Sequence, residues 1–230
     1  MGSSSWSGRR IAGAAGIGLV VLNVVLFAVQ GDSPVFDDSA ADVRKFFVDD
    51  DTLVHLVTWL GALAFVFFFL PFAAGLRNLL APADAADEQM WSRLSYTGAV
   101  LSAATVVVGS AFFEVLSQGV AEEVSDATLV ALARFDTVIF LGAMPWAFAL
   151  FLAAASVVIV RSGVLAKWIG WVGAADALLL VISALWIFEE DDEGFFVILF
   201  FIGLLIFLLW VLAVSITMIR SDEQVTAPGG

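Results

Sequence analysis

The chain has no cysteine, one histidine, one tyrosine and only two lysines among its 230 residues. Without thiols it cannot form disulfides, thiolate zinc sites or iron–sulfur clusters, and it offers no sulfur for a lipid anchor. His55 alone cannot supply a pair of haem ligands from one chain, and HExxH chemistry is absent. A Ser–His hydrolase would need His55 beside a nucleophilic serine. Gly109-Ser110 lacks the glycine that completes a nucleophile elbow. Neither Lys45 nor Lys167 sits in the middle of an apolar run, which excludes a retinal Schiff base. No cofactor and no metal site are expected, and the reading leans away from an enzyme.

Processing signals are equally sparse. Arg9-Arg10 is followed by Ile11-Ala12-Gly13 rather than the hydrophobic pair of a twin-arginine signal. Ala28-Val29-Gln30 makes a poor cleavage site, so the first apolar run reads as an uncleaved helix. Trp6 stands where myristoylation needs Ser or Thr. Residues 1–10 read as a disordered, Gly/Ser-rich cytoplasmic end and 220–230 as a short solvated tail.

What the chain has in excess is hydrocarbon. Hydrophobic residues make up 61% of it and the mean hydropathy is +1.01, against ~45–50% apolar content in soluble domains. A bilayer core of about 30 Å needs roughly 20 apolar residues per helix. Six stretches qualify: Ile11–Gln30, Leu53–Leu76, Leu94–Ser117, Asp136–Val160, Val164–Phe188 and Phe195–Ile219. Runs such as Phe65–Leu70 show no period-2 alternation, so helices fit and a β-barrel does not. The expected fold is all-α: a polytopic bundle of six spans over residues 11–219.

Lys and Arg orient it. With the N-terminus inside, Arg9, Arg10, Arg77, Arg93, Arg161, Lys167 and Arg220 fall inside, and only Arg44, Lys45 and Arg134 lie near the outer face. Both termini are then cytoplasmic and the protein is a multi-pass protein of the cell membrane.

The outer loops are acidic. Asp32, Asp37, Asp38, Asp42 and Asp49–Asp51 fill the first, Glu122, Glu123 and Asp126 the second, and Glu189–Glu193 the third. A single-sign field of this kind concentrates cations, so a vestibule is one reading. The pI near 4.2 also fits a surface adapted to high salt. Either way the loops repel nucleic acid, which is not expected as a partner. The expected partners are the lipid bilayer and a second membrane protein or further copies of the chain.

Ionisable groups at membrane depth are costly and mark functional candidates. Asp176 lies near the midplane, about 18 Å along the fifth span at ~1.5 Å per residue. Gly170, Gly173, Ala174 and Ala177 surround it with a face that lets another helix approach closely. It reads either as a proton- or cation-binding carboxyl, or as a neutral acid hydrogen-bonded to Asn23, Ser102 or Thr105. Glu114, Arg134, Asp136 and His55 share the outer side and form a second candidate cluster, with Arg134 bridging the carboxylates. The plainer alternative is four interfacial residues snorkelling at helix ends.

Trp91, Tyr96, Trp168 and Trp171 at inner helix starts, with Trp186 outside, form an interfacial aromatic belt. Pro71 and Pro145 fall inside spans two and four and each frees a backbone carbonyl. They belong to a faint internal repeat. Leu70-Pro71-Phe72-Ala73 aligns with Met144-Pro145-Trp146-Ala147, and Tyr96-Thr97-Gly98-Ala99 with Trp171-Val172-Gly173-Ala174. Glu114 then matches Glu189. Two hairpins running in the same direction make this a parallel repeat.

Three stretches carry a resemblance: Asp38–Val43 with Phe46-Phe47, Ala149–Arg161, and Ser162-Gly163-Val164-Leu165-Ala166-Lys167-Trp168-Ile169-Gly170-Trp171-Val172-Gly173. In these the chain resembles a family of uncharacterised prokaryotic six-span membrane proteins, the DUF4386-like group. Ala166 departs from it, since many relatives carry proline there. The resemblance implies the six-span architecture and supplies no activity and no functional residue. Two functions stay open: binding or transport of a small ligand or ion through a polar pocket between spans two to five, or a non-catalytic scaffold or accessory subunit. The first needs a hydrated cavity reaching Asp176, the second a dry, filled core.

Overall fold

A computed structural model describes residues 7–29, 39–49, 51–188 and 194–226. Residues 1–6 lie outside the described residues. So do Asp32, Asp37, Asp38 and Asp50 of the first acidic loop, all of Glu189–Glu193, and residues 227–230. Nearly everything described is helical.

Six helices are long and apolar enough to cross a membrane: Gly8–Val29, Thr52–Asp87, Met90–Glu123, Asp126–Ser162, Lys167–Phe188 and Phe195–Ser221. By length and composition this is a multi-pass membrane protein. Large apolar side chains such as Phe67, Trp59, Leu178, Leu205 and Leu209 point outward and are exposed. Water would penalise that surface, whereas lipid would not.

Several helices overrun their apolar cores. The fourth begins at Asp126, ten residues before the apolar run that starts at Asp136, because Ser125 caps it by accepting the Thr128 N–H at 3.4 Å. The second continues past Leu76 through a tight 3₁₀ stretch, Ala81–Asp87. Glu88 and Gln89 then take left-handed backbone angles, and Asp84 turns inward to accept the Ser92 N–H at 2.8 Å. That bond satisfies a donor at the start of span three. Span four ends at Gly163, whose φ of 68° permits the left-handed cap before span five.

Consecutive spans pack side by side, and span one closes the ring against span six. The centre is aromatic. Phe69 of span two stands 6.0 Å from Phe148 and 5.3 Å from Phe151 of span four, and 5.7 Å from Phe207 of span six. Phe148 and Phe207 approach to 4.6 Å, and Trp210 meets Phe151 edge-on at 5.7 Å. Each such pair contributes ~0.5–1.5 kcal/mol beyond its buried area. Trp210 also donates its indole N–H to the Ile169 carbonyl at 2.8 Å, tying span six to span five. Trp186 is buried in this core instead of joining an interfacial belt, whereas Trp168 and Trp171 are exposed.

Spans two and four share one backbone feature. Span two winds as a π-helix over Ala64–Phe69 and span four over Val138–Ala143. Both segments end just before their prolines. Leu70 donates its N–H to Phe65 and Met144 to Ile139, each five residues back. A proline N has no hydrogen and its ring crowds the carbonyl four residues earlier, so a wider turn relieves both helices in the same way.

A second, smaller core lies at the end of the bundle where span three gives way to span four. The amphipathic helix Ala40–Asp49 buries Val43 and Phe47, one turn apart, against Val54, Leu116, Ala121 and Leu129. Arg44 lies between them. Its guanidinium donates to the Ala121 carbonyl and, at 3.1 Å, to the Val124 carbonyl, and it pairs with Asp126 at 2.7 Å. Those carbonyls end span three, where backbone acceptors lack helical partners. Arg44→Ala should therefore release the Ala40–Asp49 helix at a cost of about 1–3 kcal/mol. Limited proteolysis would then cut within residues 40–49 while the melting of the spans shifts little. Equal protease resistance in parent and variant would refute this role.

Candidate functional site

Asp176 is the tenth of 22 residues in span five, and only 1% of it is exposed. Its neighbour one turn earlier, Gly173, explains how the helices close on it. A Cβ there would lie 2.6 Å from the Ser156 hydroxyl of span four and 2.8 Å from the Trp210 indole nitrogen of span six. Neither carboxyl oxygen of Asp176 has a hydrogen-bond partner among the described residues. The buried hydroxyls of Ser156 and Ser215 are unpartnered in the same sense.

The partners that sequence offered for Asp176 are engaged elsewhere. Asn23 donates to the Leu19 carbonyl at 2.9 Å, Ser102 to Gly98 at 2.8 Å, and Thr105 to Leu101 at 2.9 Å. Each bonds the carbonyl four residues back in its own helix, a local option that needs no tertiary contact. Of the two readings of Asp176, the one hydrogen-bonded to Asn23, Ser102 or Thr105 is thus not found among the described residues.

The outer group divides. His55 Nδ1 of span two lies 2.8 Å from the Glu114 carboxylate of span three, which also accepts from Gln118 at 3.0 Å. Ser117 Oγ stands 3.4 Å from the same imidazole nitrogen. The pair is partly exposed, which limits an ion pair to ~0.2–1 kcal/mol. Asp136 lies on another side of span three: one of its oxygens is 3.3 Å from the position a Gly109 Cβ would take. Gly109 and Glu114 are five residues apart, about 140° around a helix, so the two carboxylates face different seams. One Asp136 oxygen is buried without a partner. Arg134 is exposed near the end of the Asp126–Thr137 segment.

Two open cavities lie at the arginine-rich end. One, of about 480 Å³, is lined by Ala74, Arg77, Asn78, Arg93, Tyr96 and Thr97. The other, of about 390 Å³, shares Ala74 and Asn78 and adds Arg9 and Pro71. The sequence reading used Arg77 and Arg93 only to set orientation. Their convergence was foreshadowed by one feature, since they flank the connector between spans two and three.

A family described as "Domain of unknown function (DUF4386)" matches residues 11–215. The chain belongs to that family. Within DUF4386 the match spans the bundle almost from end to end, including Asp176 and every member of the outer group. Comparisons with curated proteins and with solved structures gave no match.

Proposed function

We propose that this DUF4386 protein is a multi-pass protein of the cell membrane, with both ends in the cytoplasm, that binds a proton or small cation at Asp176. The supporting observation is the buried carboxyl with two unpartnered oxygens. Leaving such a group unsatisfied in a protein interior costs on the order of 1–3 kcal/mol or more. A purely structural position gains nothing that offsets this, whereas a site that must exchange a bound ion needs free acceptor oxygens. The closed aromatic centre is then one state of a protein that opens to load and release. The same centre favours a second reading, a scaffold whose core stays dry and whose partners dock on its helix faces.

Proteoliposomes enclosing a pH-sensitive dye separate the two. Under an imposed potassium diffusion potential the parent should acidify the lumen, and Asp176→Asn should not. Identical traces for the two proteins would reject the ion-binding reading. The topology is testable in cells, because the native chain has no thiol. Ser39→Cys should react with an impermeant maleimide on intact cells, and Ala83→Cys only after permeabilisation. The opposite pattern would invert the orientation.

A further inference from the structure

We propose that the cavity between spans two and three at the arginine-rich end is a binding site for a phosphate-type anion. Arg77, near the inner end of span two, and Arg93, in the first turn of span three, line one concavity with Asn78, Tyr96 and Thr97. It does not touch Asp176, so the proposal stands apart from the ion-binding reading.

The geometry is more than charge at a boundary. Arginines at a bilayer surface ordinarily extend away from the bundle toward water or headgroups. These two face one hollow of about 480 Å³, within the ~300–1,000 Å³ range of small-ligand sites. Neither guanidinium has a hydrogen bond or ion pair among the described residues. Two of the three acids in the connector are engaged elsewhere. Asp84 is turned inward onto the Ser92 N–H. Asp87 accepts from Arg161 at 2.9 Å and from the Trp91 indole at 3.1 Å. Arg161, in contrast with the cavity pair, is held by that acid and lies 5.7 Å from the Trp91 ring centre.

Guanidinium forks match the paired oxygens of a phosphate, and two of them converging on one hollow select an anion that can accept from both. Tyr96 and Asn78 add residues with donor groups to the lining. The neighbouring cavity shares Ala74 and Asn78 and carries Arg9, so the surface extends toward span one. A phosphate on a lipid headgroup and a phosphate on a small soluble molecule present the same chemistry here.

The test uses the full chain in neutral detergent. Inorganic phosphate, a short-chain phosphatidylglycerol and a short-chain phosphatidylcholine are titrated separately while melting and native mass are followed. The parent should bind at least one of the first two in preference to phosphatidylcholine. Saturation by inorganic phosphate, and its competition with the lipid, would identify a soluble phosphate source. Binding of phosphatidylglycerol alone would identify a headgroup. The double substitution Arg77→Gln with Arg93→Gln should weaken that binding about tenfold or more, whereas Arg161→Gln leaves it unchanged. A parent that binds neither anion, or prefers phosphatidylcholine, overturns the proposal without recourse to any variant. A folded double variant that binds as tightly as the parent also overturns it.

Discussion

Gly98→Ala should lower the melting temperature of the detergent-solubilised bundle by about 10 °C. The reason is a contact with backbone. A Cβ on Gly98 would stand 2.5 Å from the Phe151 nitrogen, 2.8 Å from its Cα and 3.0 Å from the Ala147 carbonyl oxygen. Spans three and four meet there main chain to main chain, and Ser95, one turn away, donates to the Phe151 carbonyl at 3.1 Å. Backbone cannot turn aside as a side chain can, so the helices must separate. Overpacking of this kind costs about 3 kcal/mol, and each kcal/mol moves the melting point of a chain this size by ~2–4 °C. Gly61→Ala is the control. Its nearest neighbour is the Ser110 hydroxyl at 3.7 Å, an ordinary contact, so alanine there should be neutral or slightly stabilising. Gly18→Ala should fall between, since the obstacle is the Phe68 ring, which can swing away. Thermal scans of the three variants would show the order directly. A Gly98→Ala protein that melts with the parent would mean that spans three and four do not approach so closely.

Asp176→Leu should move stability the other way. A buried carboxyl with neither oxygen satisfied carries a desolvation penalty that an apolar side chain of similar size removes. The expected gain is about 2 kcal/mol, or about 5 °C in the same scan. The variant should also lose the proton or cation response proposed above. Stability gained as function is lost is the pattern of a site held at the fold's expense. A Leu variant that melts below the parent would show instead that Asp176 has a structural partner, and the ion-binding reading would lose its support. Asp176→Asn keeps the shape and a polar head, so it should melt closer to the parent than Asp176→Leu does.

Part of the site was legible before any coordinates. A lone acid in the middle of an apolar run needs no tertiary structure to be noticed, because its cost comes from the solvent around the helix. His55 and Glu114 could be placed at one end by counting along their spans, and they do meet. The companions were harder. A cluster bridged by Arg134 was one of two readings, but Asp136 faces Gly109 on a different seam from Glu114. Sequence gives depth along a helix far better than rotation around it when nearly every residue is apolar. The acids' hydrogen-bond partners were unreadable for a related reason: Asn23, Ser102 and Thr105 each had an acceptor in their own helix.

The amino-acid order alone determined that the chain forms six helices long and apolar enough to cross a membrane, since hydrocarbon content and span length act locally. The π-turns before Pro71 and Pro145 accommodate a missing N–H, a property of the residue itself. Only the tertiary structure decided what fills the middle, which carboxyl stays unpaired, and that Arg77 and Arg93 share one hollow. Those are matters of how each helix is rotated against its neighbours. Among nearly uniform apolar faces, rotation is set by close-packed shape, by Gly98 against Phe151 and Gly173 against Trp210, and shape exists only once the spans have met.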